Sequence, residues 1–180
     1  MSIGLLWATS PLGPNSTYIV KLDIDAVVHS DLLLQHITAM RDEETIDVLW
    51  GMIYEKAKIY RNLNSPWYIS WPDYSSDTLP TYLCGSTYIG RTETFKKIVQ
   101  ASRHEKVIKP EDAFFTGISA EAAGVERRCG SPLIAFDKSV VATECTNLNV
   151  PHSIISRHQY QGTFDMEHAW NELQAGLNYA

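Results

Sequence analysis

Apolar and polar positions change their period several times along the chain, and each change marks an element. Over residues 18–26 they alternate singly, so Ile19, Lys21, Asp23 and Asp25 share one face of an extended strand while Val20, Leu22, Ile24 and Ala26 share the other. One face is expected to enter a core and the other to present a pair of acids. A helical period follows, with Ser30 as its N-cap, Leu33, Leu34, Ile37 and Met40 along it and the acidic turn "RDEE" at its end. "IDVLWGMIY" and "TYLCGSTYIG" read as strands, the second with Gly85 inside it, where a missing side chain permits close approach of a ligand or another backbone. Between them, "RNLNSPWYISWPDYSSDTLP" is punctuated by Pro66, Pro72 and Pro80 and dense in aromatics, the mark of a long functional loop. Thr92 is placed to cap "ETFKKIVQASRHE". Pro110 opens "EDAFFTGISAEAA", which Gly124 stops, and Thr163 or Asp165 opens a last helix through "MEHAWNELQAGL". Strands and helices alternate without repeats or a linker, which predicts one α/β domain over residues 1–180.

Composition removes several classes of function. With 180 residues, 44% of them hydrophobic, the chain has room for one well-buried core. A formal charge of -6 and the lack of a Lys/Arg cluster with interleaved aromatics argue against a nucleic-acid partner. Cys84, Cys129 and Cys145 have neither CxxC spacing nor paired histidines nearby, so no structural zinc site is expected, and their odd number leaves the disulfide question open. No run reaches the roughly 18 apolar residues of a membrane span, and the opening "MSIGLLWATSPLG" is expected to be neither an export signal nor an anchor. "NST" at Asn15 is a glycosylation sequon, of consequence only on a secretory route.

The Asp23-Ile24-Asp25 pair is the first candidate chemistry. A solvated strand end is the simplest reading. A calcium loop starting at Asp23 fails, because it would need an oxygen ligand at Val27, glycine at Val28 and glutamate at Leu34. A third reading is a hard divalent cation shared between protein carboxylates and a substrate diphosphate. "KLDIDAVV" also fits the pattern of haloacid-dehalogenase-type phosphatases, with Asp23 as nucleophile and Asp25 as acid/base, although Lys21 interrupts the apolar strand that motif follows.

Several blocks taken in order carry more weight than any one of them. Trp7, "YIVKLDIDAVV", "KIYRNLNSPWYIS", "LPTYLCGSTYIG", "PEDAFFTG", "ISRHQ" and "MEHAW" resemble the signature blocks of the β-1,3-galactosyltransferase-like family of glycosyltransferases. Where that family usually carries three consecutive acids, this chain keeps the first and third. The resemblance implies a GT-A-type, Rossmann-like α/β fold. It implies inverting transfer of a hexose, galactose or an N-acetylhexosamine, from a UDP-sugar donor to a glycan acceptor on glycoprotein or glycolipid, with a β-1,3 linkage. It also implies a divalent cofactor, Mn2+ or Mg2+, and a location on the lumenal face of the Golgi membrane.

By the same resemblance Asp23 and Asp25 hold the metal, Asp25 more directly, and His158 in "SRHQ" completes its shell or touches the diphosphate. His152 has no counterpart. Asp112 is the expected general base that takes the acceptor proton, with Glu111 positioning a sugar hydroxyl, against the simpler view that both merely decorate a helix start. Tyr82, Gly85 and Ser86 are expected to line the donor sugar and acceptor. Trp71 either stacks on a sugar or packs, whereas Trp67, Phe114, Phe115 and Ile118 are expected in the core. Cys84 has a family counterpart, but "GISAE" stands where a second family cysteine often lies. The chain is short for the family and is expected to be the C-terminal part of a catalytic domain, lacking the first strand-helix units and the anchor. A non-catalytic copy that binds a sugar or partner is the rival from another functional class.

Overall fold

The computed structural model describes residues 8–11, 13, 15–40, 47–130, 134–135, 156–157, 166–168 and 170–171. The main sheet contains β1 (Tyr18–Leu22), β3 (Val48–Tyr54), β4 (Tyr82–Arg91) and β5 (Glu126–Cys129), in the spatial order β1-β4-β3-β5. β4 is antiparallel to both neighbours and β5 is parallel to β3, so the sheet is mixed. A smaller sheet joins β2 (Val27–Val28), β7 (Ser156–Arg157) and β6 (Ile134–Ala135) in that order. The helices are α1 (Ser30–Met40), α2 (Thr92–Ser102) and a π-helix (Ala113–Ser119) that runs on as α3 (Ala120–Ala122). The α/β pattern is therefore present.

The core lies where α2 and the π-helix meet the sheet. Phe95 and Ile98 from α2 and Phe114 and Phe115 from the π-helix are buried with Leu49, Leu83 and Tyr88 of the strands. Burying such side chains contributes about 1.5–3 kcal/mol each. Phe114, Phe115 and, at its margin, Ile118 are thus core residues as expected. The stop at Gly124 also holds: its φ of +67° is the left-handed conformation that glycine adopts without a Cβ penalty. Apolar spacing did not foresee the π winding, because over seven residues one apolar stripe fits either helix. Thr116, fully buried, fastens that helix to β4: its hydroxyl donates to the Asp112 carbonyl (2.7 Å) and accepts from the Leu83 N–H (2.8 Å).

Three local expectations change. β1 ends at Leu22, so the single alternation does not reach the acids. The Asp23 N–H donates to the Ser86 carbonyl (3.1 Å) and the Ala26 N–H to the Asp23 carbonyl (3.1 Å), closing a turn with Asp at its favoured first position. Ile24 is consequently 99% exposed, and Ile19 rather than Ile24 packs on the core. Ser30 is not a cap but the first residue of α1; the fully buried His29 caps it, its Nδ1 accepting from the Leu32 N–H (3.3 Å). Thr92 likewise starts α2 instead of capping it, and its hydroxyl donates to the Ser16 carbonyl (2.6 Å).

The aromatic loop is ordered by one side chain. The Arg61 guanidinium donates to the carbonyls of Ile69 (2.9 Å), Tyr74 (2.8 Å) and Ser76 (2.6 Å). Its cation stands 3.9 Å from the centre of the Trp71 ring, a cation–π contact. Trp67, expected in the core, is 58% exposed, because Ile69 takes the inward position and Trp67 leans on the exposed Tyr60 instead.

Candidate active site

β1, β4 and the start of the π-helix bring a lysine and three acids together. A register irregularity in β4 makes this possible: Gly51 lies opposite Tyr88 and Ile53 opposite Leu83, so β3 advances two residues while β4 advances five. The odd offset reverses side-chain parity within β4 and turns Gly85 to the same side of the sheet as Tyr88 and the π-helix. Lys21, paired with Tyr88 across the strands, points to that side too.

Lys21 is the centre of the cluster, and its side chain is only 17% exposed. Its ammonium donates to Asp23 Oδ1 (2.5 Å) and to the Gly85 carbonyl (2.5 Å), and it faces Glu111 Oε2 at 3.8 Å. The Tyr88 ring lies beneath it, 5.4 Å from nitrogen to ring centre, and the Tyr88 hydroxyl donates to Glu111 Oε1 (3.3 Å). Asp112 is held from two directions: Oδ2 accepts from the Gly85 N–H (3.1 Å) and Oδ1 from the Ala113 N–H (2.8 Å). Both backbone polar groups of Gly85 are therefore engaged, its carbonyl by Lys21 and its N–H by Asp112.

The electrostatics of the two helix-start acids suit proton transfer. Burial pushes the Asp112 carboxyl above the ordinary aspartate range, against the Ala113 and Gly85 N–H groups and Lys21, which pull it down. Glu111 is also raised, by burial first, with Lys21 and the Tyr88 hydroxyl opposing. A carboxylate with a raised pKa is a stronger base, and fixed N–H donors aim it. Tyr82, half-buried, has its phenol raised by burial and then by Asp112, and its ring lies 5.3 Å from that of Tyr54. Burial pushes the Tyr54 phenol up to about 12, with the neighbouring Cys84 thiol adding to it.

The expected site residues divide accordingly. Asp112, Glu111, Asp23 and Gly85 come together, and Tyr82 borders them. Asp25 is partly buried within the Asp23–Ala26 turn. Ser86 differs from expectation: its side chain is buried, and it acts through the carbonyl that fixes the turn. The described contacts of Trp71 are with Arg61, inside the aromatic loop. His158 and His152 lie outside the described residues, as do Trp7 and Cys145. Lys21 was missed as a site residue; its signal was a lysine breaking an apolar strand two residues before an acid. Cys129 is disulfide-bonded and Cys84 is a buried free thiol.

The donor chemistry of the turn fits a hard cation, since Asp23 and Asp25 offer carboxylate oxygens and a diphosphate could supply others. Among the described residues no group of three or more His, Cys, Asp or Glu side chains is arranged to hold a metal by itself. No described helix is long and apolar enough to cross a membrane.

Comparison with known proteins bears out the family resemblance. The galactosyltransferase family matches residues 1–129. The chain is similar to beta-1,3-galactosyltransferase bre-2 of Caenorhabditis elegans, 30% identical over 70% of this chain and 36% of that protein. It is similar to beta-1,3-galactosyltransferase brn of Drosophila melanogaster, 22% identical over 99% of this chain and 52% of the other. It is also similar to human lactosylceramide 1,3-N-acetyl-beta-D-glucosaminyltransferase, 22% identical over 62% of this chain and 30% of that one. The chain thus spans about a third to a half of the length of these curated relatives.

Proposed function

Because the chain belongs to the galactosyltransferase family, we propose that it carries the catalytic face of a GT-A-type hexosyltransferase domain, one that moves a hexose from a UDP-sugar to a glycan acceptor with inversion and a β-1,3 linkage. The observation that carries this reading is Asp112, a half-buried carboxylate of raised pKa aimed by two backbone N–H groups beside the Asp23–Ala26 turn. Inversion requires the acceptor hydroxyl to attack opposite the leaving diphosphate, so a base must receive its proton on the acceptor side. Asp112 takes that role. Glu111, held by the Tyr88 hydroxyl, orients a neighbouring sugar hydroxyl, and Tyr82 and Tyr54 form an aromatic wall on the Asp112 side. A Mn2+ or Mg2+ ion held by Asp25 and Asp23 would neutralise charge developing on the leaving diphosphate.

The disulfide at Cys129 supports a lumenal, oxidising location such as the Golgi. Asn15 of the sequon is exposed. One similar protein is named for lactosylceramide, which favours a glycolipid acceptor, with a glycoprotein glycan as the alternative. The family match and the similar proteins are glycosyltransferases, which speaks against a phosphatase.

Asp112→Asn tests the assignment. It keeps the shape and removes the proton acceptor, so turnover of UDP-sugar onto acceptor should fall by about a hundredfold or more, with UDP affinity by calorimetry nearly unchanged. Normal turnover in this variant, or damage confined to Glu111→Gln, would overturn the role given to Asp112.

A further inference from the structure

The site described above contains three acids, Asp23, Glu111 and Asp112, that come from two distant parts of the sequence. The side chain reaching across that gap belongs to Lys21. Its ammonium holds the turn through Asp23 Oδ1 and β4 through the Gly85 carbonyl, and it stands 3.8 Å from Glu111 Oε2 on the helix side. Gly85 relays the contact, since its N–H holds Asp112 Oδ2. A Cβ at position 85 would lie 3.4 Å from both the Lys21 ammonium and Asp112 Oδ2, which shows how closely the lysine and the base approach one another.

We propose that Lys21 is a positioning residue of the proposed transferase: one ammonium that fixes the Asp23 turn, the Gly85 backbone and the Glu111–Asp112 pair in a single arrangement. This rests on the transferase reading for its catalytic meaning, but the charge link itself does not.

The physical reason is the company of acids. Partly buried carboxylates this close raise one another's pKa and push apart unless a cation sits among them. Lysine suits the position because its compact charge carries three freely directed donors, of which Asp23 and Gly85 take two and Glu111 faces the third. Arginine's planar fork would keep the charge but not those three directions. An exposed pair of the same chemistry, Lys97 with Asp47 at 2.7 Å, illustrates the contrast, since surface pairs of this kind contribute little. Asp23 is correspondingly tied to Lys21.

The test compares Lys21→Met, Lys21→Gln and Lys21→Arg in the whole chain, with circular dichroism as the check on folding. Carbon-13 carboxyl NMR then follows the titration of Asp112 and Glu111 without metal or substrate. In Lys21→Met both midpoints should rise, because the nearest positive charge is gone; in Lys21→Arg they should stay near those of the unaltered protein. Lys21→Gln retains a donor for the Gly85 carbonyl while losing the charge, and should show the same rise if Lys21→Met does not fold. In a transferase assay, kcat should fall by about tenfold to a hundredfold in the neutral variants, the scale of a misplaced catalytic group, with KM for the UDP-sugar changed much less and the acidic limb of kcat moved to higher pH. Unmoved midpoints in both neutral variants would overturn the proposal. Raised midpoints, with no sugar transfer either by this chain or by a longer one that matches the relatives' length, would leave Lys21 as the charge link and refute the transferase reading alone.

Discussion

β4 contains two glycines five residues apart whose missing side chains serve opposite ends. At Gly90 a Cβ would run into the Leu49 side chain and lie 3.1 Å from Phe95 Cε2, so the space is filled by apolar core. At Gly85 a Cβ would meet the Lys21 ammonium and the Asp112 carboxylate at 3.4 Å, so the space belongs to charged groups. One glycine lets α2 lie close on the sheet, and the other lets a base and a cation approach one backbone. The same residue type in the same strand is a packing device at one end and part of the chemistry at the other. What separates them is the register irregularity between them, which swings the Gly85 end out of the apolar layer and toward the helix start.

Gly90→Ala should show the larger effect. Overpacking a closed core costs about 1–3 kcal/mol, so the urea midpoint should fall with an unchanged m-value. A neutral outcome would mean that Leu49 and Phe95 can yield, and that the Gly90 end is less tightly closed than the contacts imply. Gly85→Ala should alter stability by less than about 1 kcal/mol in either direction, since the added methyl meets only ordinary contact distances and alanine suits a strand better than glycine. It should nonetheless reduce turnover, by placing carbon where the base and the ammonium now face each other. If it destabilised the fold as much as Gly90→Ala, the two ends of β4 would be the same kind of site.

The smallest effect is expected from pH. Burial raises both Glu111 and Asp112, so the folded chain binds their protons more tightly than the unfolded chain does. That contribution to stability is present below the ordinary carboxylate range and is lost as pH rises through the raised folded values. Glu111→Gln removes one of the two groups. Its stability relative to the unaltered protein should therefore improve as pH rises from about 3 to about 7, by a small amount, because Lys21 already offsets part of the penalty and Glu111 is about a third exposed. A pH-independent difference in urea midpoint would show that Glu111 titrates alike in folded and unfolded chains.

The sequence by itself determined the α/β class, the strands at β3 and β4, the helix opened by Pro110 and stopped by Gly124, and the order of blocks that placed the chain in its family. These are local or one-dimensional properties: apolar period, proline and glycine punctuation, and motif order survive without knowing what packs on what. Asp112 and Glu111 were legible for that reason, being carried by "PEDAFFTG". The face presented by the Asp-x-Asp pair was not, because alternation tells which residues share a side only while a strand continues, and the Asp23–Ala26 turn ends β1 just after the rung from the Asp23 N–H to the Ser86 carbonyl. Trp67 could not be sorted from Ile69 by composition, since both are apolar and Arg61 decides how their loop turns through three carbonyls far along the chain. Lys21 was visible only as a blemish in an apolar strand. Tertiary structure alone decided its role, because a charge becomes a link only when burial removes competing water and folding brings Gly85 and Glu111, remote in sequence, within reach of one ammonium.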